Sequence, residues 1–141
     1  MPQTIKKQAI NADGEIMEPT FYPPEIDEHG WGTEKLIVNR DDYAGKLLCF
    51  KKGGSFSGHL HLTRSESYFL AIGLIKLEYF DLTNADKLER IVKQGECVHI
   101  PKGCYHKVTA LEESTIIEFS SRYHKWDNYR ITKGDTQLNQ V

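Results

Sequence analysis

From Trp31 to Arg122 the chain falls into short segments rich in β-branched and aromatic residues, and this pattern restricts the fold more than any other feature. The segments "EKLIVN", "KLLCFKK", "SESYFLAIGLIKLEYF", "LERIVK", "ECVHIP", "HKVTAL" and "STIIEFSS" are divided by the turn-forming stretches "NRDDYAG", "KKGGSFSG", "LTNADK", "KQGE" and "PKGC". No stretch keeps apolar residues at helical spacing for three turns. Evenly spaced short strands of this kind predict an all-β chain folded as an antiparallel sandwich or barrel. At 141 residues the chain is long enough for one domain with its own core. Residues 1–30 are polar, hold four of the five prolines, and read as an extended N-terminal arm or loop with room for a short strand. Residues 31–122 are expected to form the barrel. Residues 123–141, "YHKWDNYRITKGDTQLNQV", read as a C-terminal arm with aromatic anchors, packed on the barrel or on a second subunit.

Composition removes several function classes. A formal net charge of -2 and a pI near 6.3 give no basic field for nucleic acid. There is no apolar run of 18 residues and no charged-then-apolar leader, so neither a membrane span nor a secretory signal is expected. Cys49, Cys97 and Cys104 are odd in number and form no CxxC pair, which argues against a disulfide framework and for a reducing compartment, the cytoplasm.

The stretch "GHLHLTRSESYFLAIG" concentrates the chemistry. On a strand, His59 and His61 project to one face about 7 Å apart. Two imidazoles on a buried face are costly unless something uses their nitrogens. The gap "LTRS" is long enough for a tight turn, so Glu66 is expected to open the neighbouring antiparallel strand and face the imidazoles across the ladder. In "GECVHIPKGCYHKVTA", an apolar strand and a Pro-x-Gly corner precede His106, which offers a fourth ligand. Three imidazoles and one carboxylate suit a single divalent transition ion (zinc, manganese, iron, cobalt or nickel) with positions left for water or substrate.

These residues carry a family resemblance. Gly53-x5-His59-x-His61-x4-Glu66-x6-Gly73 resembles the first conserved motif of the cupin superfamily, and Gly95-x5-Pro101-x-Gly103-x2-His106 resembles the second. The second motif usually ends in Asn, and Ala110 stands there instead. The resemblance implies a small jelly-roll β-barrel, often a homodimer, with metal held by His59, His61, Glu66 and His106. A narrower likeness links "WGTEKLIVN", "SGHLHLTRSE" and "IIEFSSRYHKWDNYRI" to the cupin domain of bacterial mannose-6-phosphate isomerases. There Trp31, Gly32, Arg64, Glu66, Glu118, Asp127 and Arg130 occupy comparable places. The alternative for the ligand quartet is a metal-free cavity whose histidines only hydrogen-bond.

Around the quartet, several residues admit two readings. Arg64 and Lys102 either hold an anionic substrate group or are solvated turn residues. Ser57 and Tyr68 share strand parity with His59 and Glu66, so they line the cavity or belong to its wall. Glu118, in "STIIEFSS", is the candidate proton-transferring base if it faces inward and a solvated strand residue if it does not. His29, His99 and His124 read as structural, Cys104 as a small apolar residue, and Trp31, Trp126 and Tyr129 as packing anchors. The expected function is a metal-dependent isomerase of a small-molecule substrate, a sugar or sugar phosphate, with Glu118 and Tyr68 catalytic and Arg64, Lys102 and Ser57 binding substrate. A non-haem iron dioxygenase and a non-catalytic sugar binder are the alternatives.

Overall fold

The computed structural model describes residues 7–139. The first six residues of the N-terminal arm and the last two of the C-terminal arm lie outside the described residues. Eleven strands and one short helix follow in chain order: β1 (Glu25–His29), β2 (Gly32–Asn39), β3 (Ala44–Phe50), β4 (Gly58–Leu60), β5 (Glu66–Ile72), β6 (Leu74–Asp81), β7 (Asp86–Lys93), β8 (Cys97–Ile100), β9 (His106–Ala110), β10 (Ser114–Ser120), β11 (Tyr129–Thr132) and α1 (Asp135–Leu138). They form two antiparallel sheets, a six-stranded one in the order β1-β2-β3-β10-β5-β8 and a five-stranded one in the order β11-β4-β9-β6-β7. β1 lies within the stretch read as an arm, and β11 and α1 lie within the C-terminal stretch.

Period-two alternation builds the core. In β3, Lys46, Leu48 and Phe50 point inward while Gly45, Leu47 and Cys49 face out. Leu48, Leu70 and Ile116 of the first sheet meet Ile75, Leu77 and Val108 of the second in one buried cluster. Trp31 closes one end of it, stacked 4.5 Å from the Phe50 ring. Where the second motif departs from its usual Asn, Ala110 is fully buried. Its backbone makes the local contacts instead, accepting from Gly53 N at 2.8 Å and donating to Gly54 O at 2.8 Å.

Two connections differ from the expectation. "SESYFLAIGLIKLEYF" divides at Gly73 into β5 and β6, which belong to different sheets. The chain turns there with φ +103, and a Cβ would collide with Ser114 and the Glu113 carbonyl. Likewise, β4 and β5 do not pair as a hairpin. β4 lies between β11 and β9, whereas β5 lies between β10 and β8 in the opposing sheet. The five residues from His61 to Ser65 carry the chain from one sheet to the other, so Glu66 approaches the histidines through the barrel interior rather than along a ladder.

Candidate metal centre

His59 of β4 and His106 of β9 are direct partners across the ladder. His61 lies just beyond β4, and Glu66 opens β5 on the facing sheet. All four are buried. The ligand atoms of the three histidines lie within 4.8 Å of one another. Glu66 Oε1 is 2.8 Å from His106 Nε2 and 3.5 Å from His61 Nε2. The structure therefore brings together all four residues that the sequence singled out.

The outer ring nitrogens decide what the inner ones can do. His59 Nδ1 is 2.5 Å from Ser57 O, His61 Nδ1 is 2.6 Å from Asp127 O, and His106 Nδ1 is 3.0 Å from Cys104 O. A carbonyl only accepts, so each Nδ1 carries a proton and each ring turns its Nε2 toward the interior, where an unprotonated Nε2 presents a lone pair. Burial and the charges of His106 and His61 hold His59 well below the usual imidazole range. Burial pushes the Glu66 carboxyl up, but hydrogen bonds from His106 and His61 and the charges of His106 and Arg64 outweigh it and keep Glu66 ionised. Glu66 Oε2 is buried without a hydrogen bond. The Arg64 guanidinium lies 2.7 Å from His61 Nε2 and 3.4 Å from Glu66 Oε2, so it offsets part of the negative charge gathered there. This donor set of three nitrogens and a carboxylate fits a divalent first-row ion.

Beside the quartet, a cavity of about 90 Å³ is lined by Ser57, Arg64, Tyr68 and Glu118, with Asn128 and Arg130 also contributing. Arg64 and Glu118 are buried, so neither is a solvated surface residue. The Arg64 guanidinium reaches His61 Nε2 at 2.7 Å and leaves its Nε without a partner. Tyr68 donates to Glu66 Oε1 at 2.9 Å, and burial with the nearby Glu66 and Glu118 charges pushes its phenol well up. Glu118 is pushed up to about 8 by burial and the Glu66 charge, against the opposing charges of Lys46 and Arg64. Lys102 is exposed in the turn before β9 and is not among the lining residues. Trp126 and Tyr129 are exposed rather than packed, while Trp31 is core.

Sequence reasoning passed over Lys46, Glu34 and Asn128, and placed Asp127 only through the narrower likeness, without a role. Lys46 and Glu34 are inward residues of β3 and β2 and join at 2.6 Å. Their strand parity was readable, but the usual exclusion of Lys and Glu from interiors hides them. Asp127 and Asn128 sit in an irregular segment with no period to read. Asp27, His29 and Glu34 form a second group with metal-ligand spacing at the rim, but Glu34 is engaged by Lys46.

No protein-family model matches the sequence, and no curated protein sequence matches it. Solved structures do. A capsular polysaccharide assembling protein, CapF, from Staphylococcus aureus superposes with TM-score 0.66 at 18% identity, covering 79% of this chain and 33% of that one. Oxalate decarboxylase from Bacillus subtilis gives 0.68 at 16% identity, with 77% of this chain and 30% of that one covered. The Lactobacillus farciminis oxalate decarboxylase, solved as a formate complex, gives 0.68 at 17%, covering 77% and 34%. The chain spans about a third of the length of each structure it resembles. At such identities the likeness speaks for architecture, which agrees with the two sheets and their strand order: the chain folds as a single-domain jelly-roll barrel of the cupin type.

Proposed function

We propose that this protein is a metal-dependent enzyme that isomerises a small polyhydroxylated substrate, a sugar or sugar phosphate, with His59, His61, Glu66 and His106 holding one divalent transition ion. The observation that carries the metal reading is the fixed direction of the three rings, each with Nδ1 bound to a carbonyl and Nε2 turned inward. When bound, the ion supplies Lewis-acid polarisation of a substrate carbonyl and its neighbouring hydroxyl. The chain's own residues then handle orientation and protons. Arg64, buried with an unpaired Nε, binds a substrate oxygen, and Ser57 lines the same wall. Glu118 presents an unpaired Oε2 in the cavity lining and takes a proton from one carbon, returning it to the next. Tyr68, anchored on Glu66, is a second proton carrier. The cavity of about 90 Å³ is small beside ordinary ligand sites, so the reacting carbons enter while the rest of the substrate stays at the rim near Arg130.

The test is direct. Protein purified without chelators should contain a first-row metal, lose it in acid as protons compete for the ligand nitrogens, and exchange the C2 proton of a sugar or sugar phosphate in deuterated water. Glu118→Gln should slow exchange by about 10²–10⁴-fold while keeping the metal. A metal-loaded protein that exchanges no C2 proton across such a panel sinks the isomerase reading. The same donor set also suits ferrous iron with dioxygen. Oxygen uptake that depends on ferrous ion would favour that second reading, and anaerobic turnover would exclude it.

The reading extends to assembly and location: a homodimer in the cytoplasm. Its support is the outer face of the six-stranded sheet, where Leu47, Ile117 and Phe69 lie side by side in register and Phe119 is 58% exposed. A solvated outer face would alternate polar residues there. The polar arm that leads into β1 also carries exposed apolar side chains, among them Met17 and Phe21, the latter 89% exposed. A second copy, related by a two-fold axis, covers both.

A further inference from the structure

His59 and His106 are fixed by the β4–β9 ladder, but His61 lies past the end of β4, at the start of an irregular crossing to the other sheet. A ligand in that place needs another support. Asp127 supplies it from the C-terminal segment. Its backbone oxygen accepts the His61 Nδ1–H at 2.6 Å. Its carboxylate grips the two residues that follow: Oδ1 accepts from Leu62 N at 2.8 Å, and Oδ2 accepts from Thr63 N at 3.1 Å and from Thr63 Oγ1 at 2.6 Å. Asp127 is itself 2% exposed. The segment on either side is secured by the reciprocal pair of Tyr123 and Asn39 and by β11, whose Arg130 pairs with His59.

One residue thus holds the ring of a ligand and the backbone just after it. We infer that Asp127 is the positioning residue for His61, and through the same turn for Arg64; its effect on metal affinity rests on the metal-centre reading. Hydrogen-bond direction gives Asp127 this role. A carboxylate accepts every bond offered here, and such charge-assisted bonds are the stronger kind. An amide in its place keeps one acceptor but turns a donor toward the Thr63 donors. Alanine keeps the 127 carbonyl but leaves Leu62 N, Thr63 N and Thr63 Oγ1 without that partner, so nothing holds the carbonyl against the ring.

The experiment compares wild type, Asp127→Asn, Asp127→Ala and Asp81→Asn. Asp81 caps a turn in the same way, through Thr83 N at 2.9 Å and Asn84 Nδ2 at 2.8 Å, but its turn carries none of the four ligands. Zinc affinity is measured by competition with a chromophoric chelator. The histidine ring tautomers are read by long-range proton–nitrogen NMR on the metal-free protein. Asp127→Ala should weaken zinc binding by about 10- to 100-fold and should mix the His61 tautomers while His59 and His106 keep theirs. Asp127→Asn should move both readings the same way by less, and Asp81→Asn should move neither. Should Asp127→Ala not fold, Asp127→Asn carries the same two measurements. An unchanged His61 ring spectrum in the folded Asp127 variants overturns the inference, and so does a zinc affinity equal to that of wild type. If wild type itself binds no zinc, the metal-centre reading falls, while the ring spectra still decide whether Asp127 positions His61.

Discussion

Lys46 and Glu34 form an ion pair where little water reaches either. Lys46 is buried, its Nζ 2.6 Å from Glu34 Oε1 and 3.7 Å above the centre of the Tyr123 ring. His29 Nε2 lies 3.0 Å from the other Glu34 oxygen. Burial raises the Glu34 carboxyl, but the His29 hydrogen bond and the Lys46 charge outweigh it and hold the group at about 2, against an ordinary 4.5. A lowered folded value means stability that is present above pH 4.5 and is lost as pH falls toward about 2. Glu34→Gln should therefore cost about 1–3 kcal/mol at neutral pH by leaving Lys46 without its counter-charge. The gap between the two proteins should close as pH falls through that window. Urea unfolding at a series of pH values checks this, and a gap that stays flat down to pH 2 would count against it.

At the scale of elements, the two places where the chain changes sheets shape the site. The crossing from His61 to Ser65 brings Glu66 to the histidines from the facing sheet, and the turn at Gly73 sends β6 back to the other side. Gly73 is the sharper constraint, since φ +103 is strained for any residue with a side chain and a Cβ would meet Ser114. Gly73→Ala should lower stability by about 1–3 kcal/mol or more, read from chemical denaturation. Equal stability would show that the turn relaxes freely. Alternation along "SESYFLAIGLIKLEYF" identified which side chains share a face, but period two is the same whether a run is one strand or two. Only the sheet to which each half belongs separates them.

For the whole molecule, the outer faces of β3, β10 and β5 carry Leu47, Ile117 and Phe69, each partly exposed, and Phe119, which is exposed among the described residues. Phe119→Asp together with Ile117→Lys should yield a folded monomer, whereas wild type should run as a dimer by light scattering at micromolar concentration. A wild-type mass near 16.2 kDa would remove the homodimer from the proposal. The all-β class, the two motifs and the four gathered residues were legible from the sequence because they depend on local quantities: alternation along a strand, turn glycines, and spacing between ligands. What tertiary structure alone decided were contacts between residues far apart in the chain. Arg64 turned out buried and Lys102 exposed, although each is a basic residue a few positions from a candidate ligand. Asp127 holds His61 across 66 residues, and Lys46 meets Glu34 inside the barrel. Periodicity assigns a side chain to a face, but its partner, its burial and its charge state depend on what the rest of the chain packs against that face.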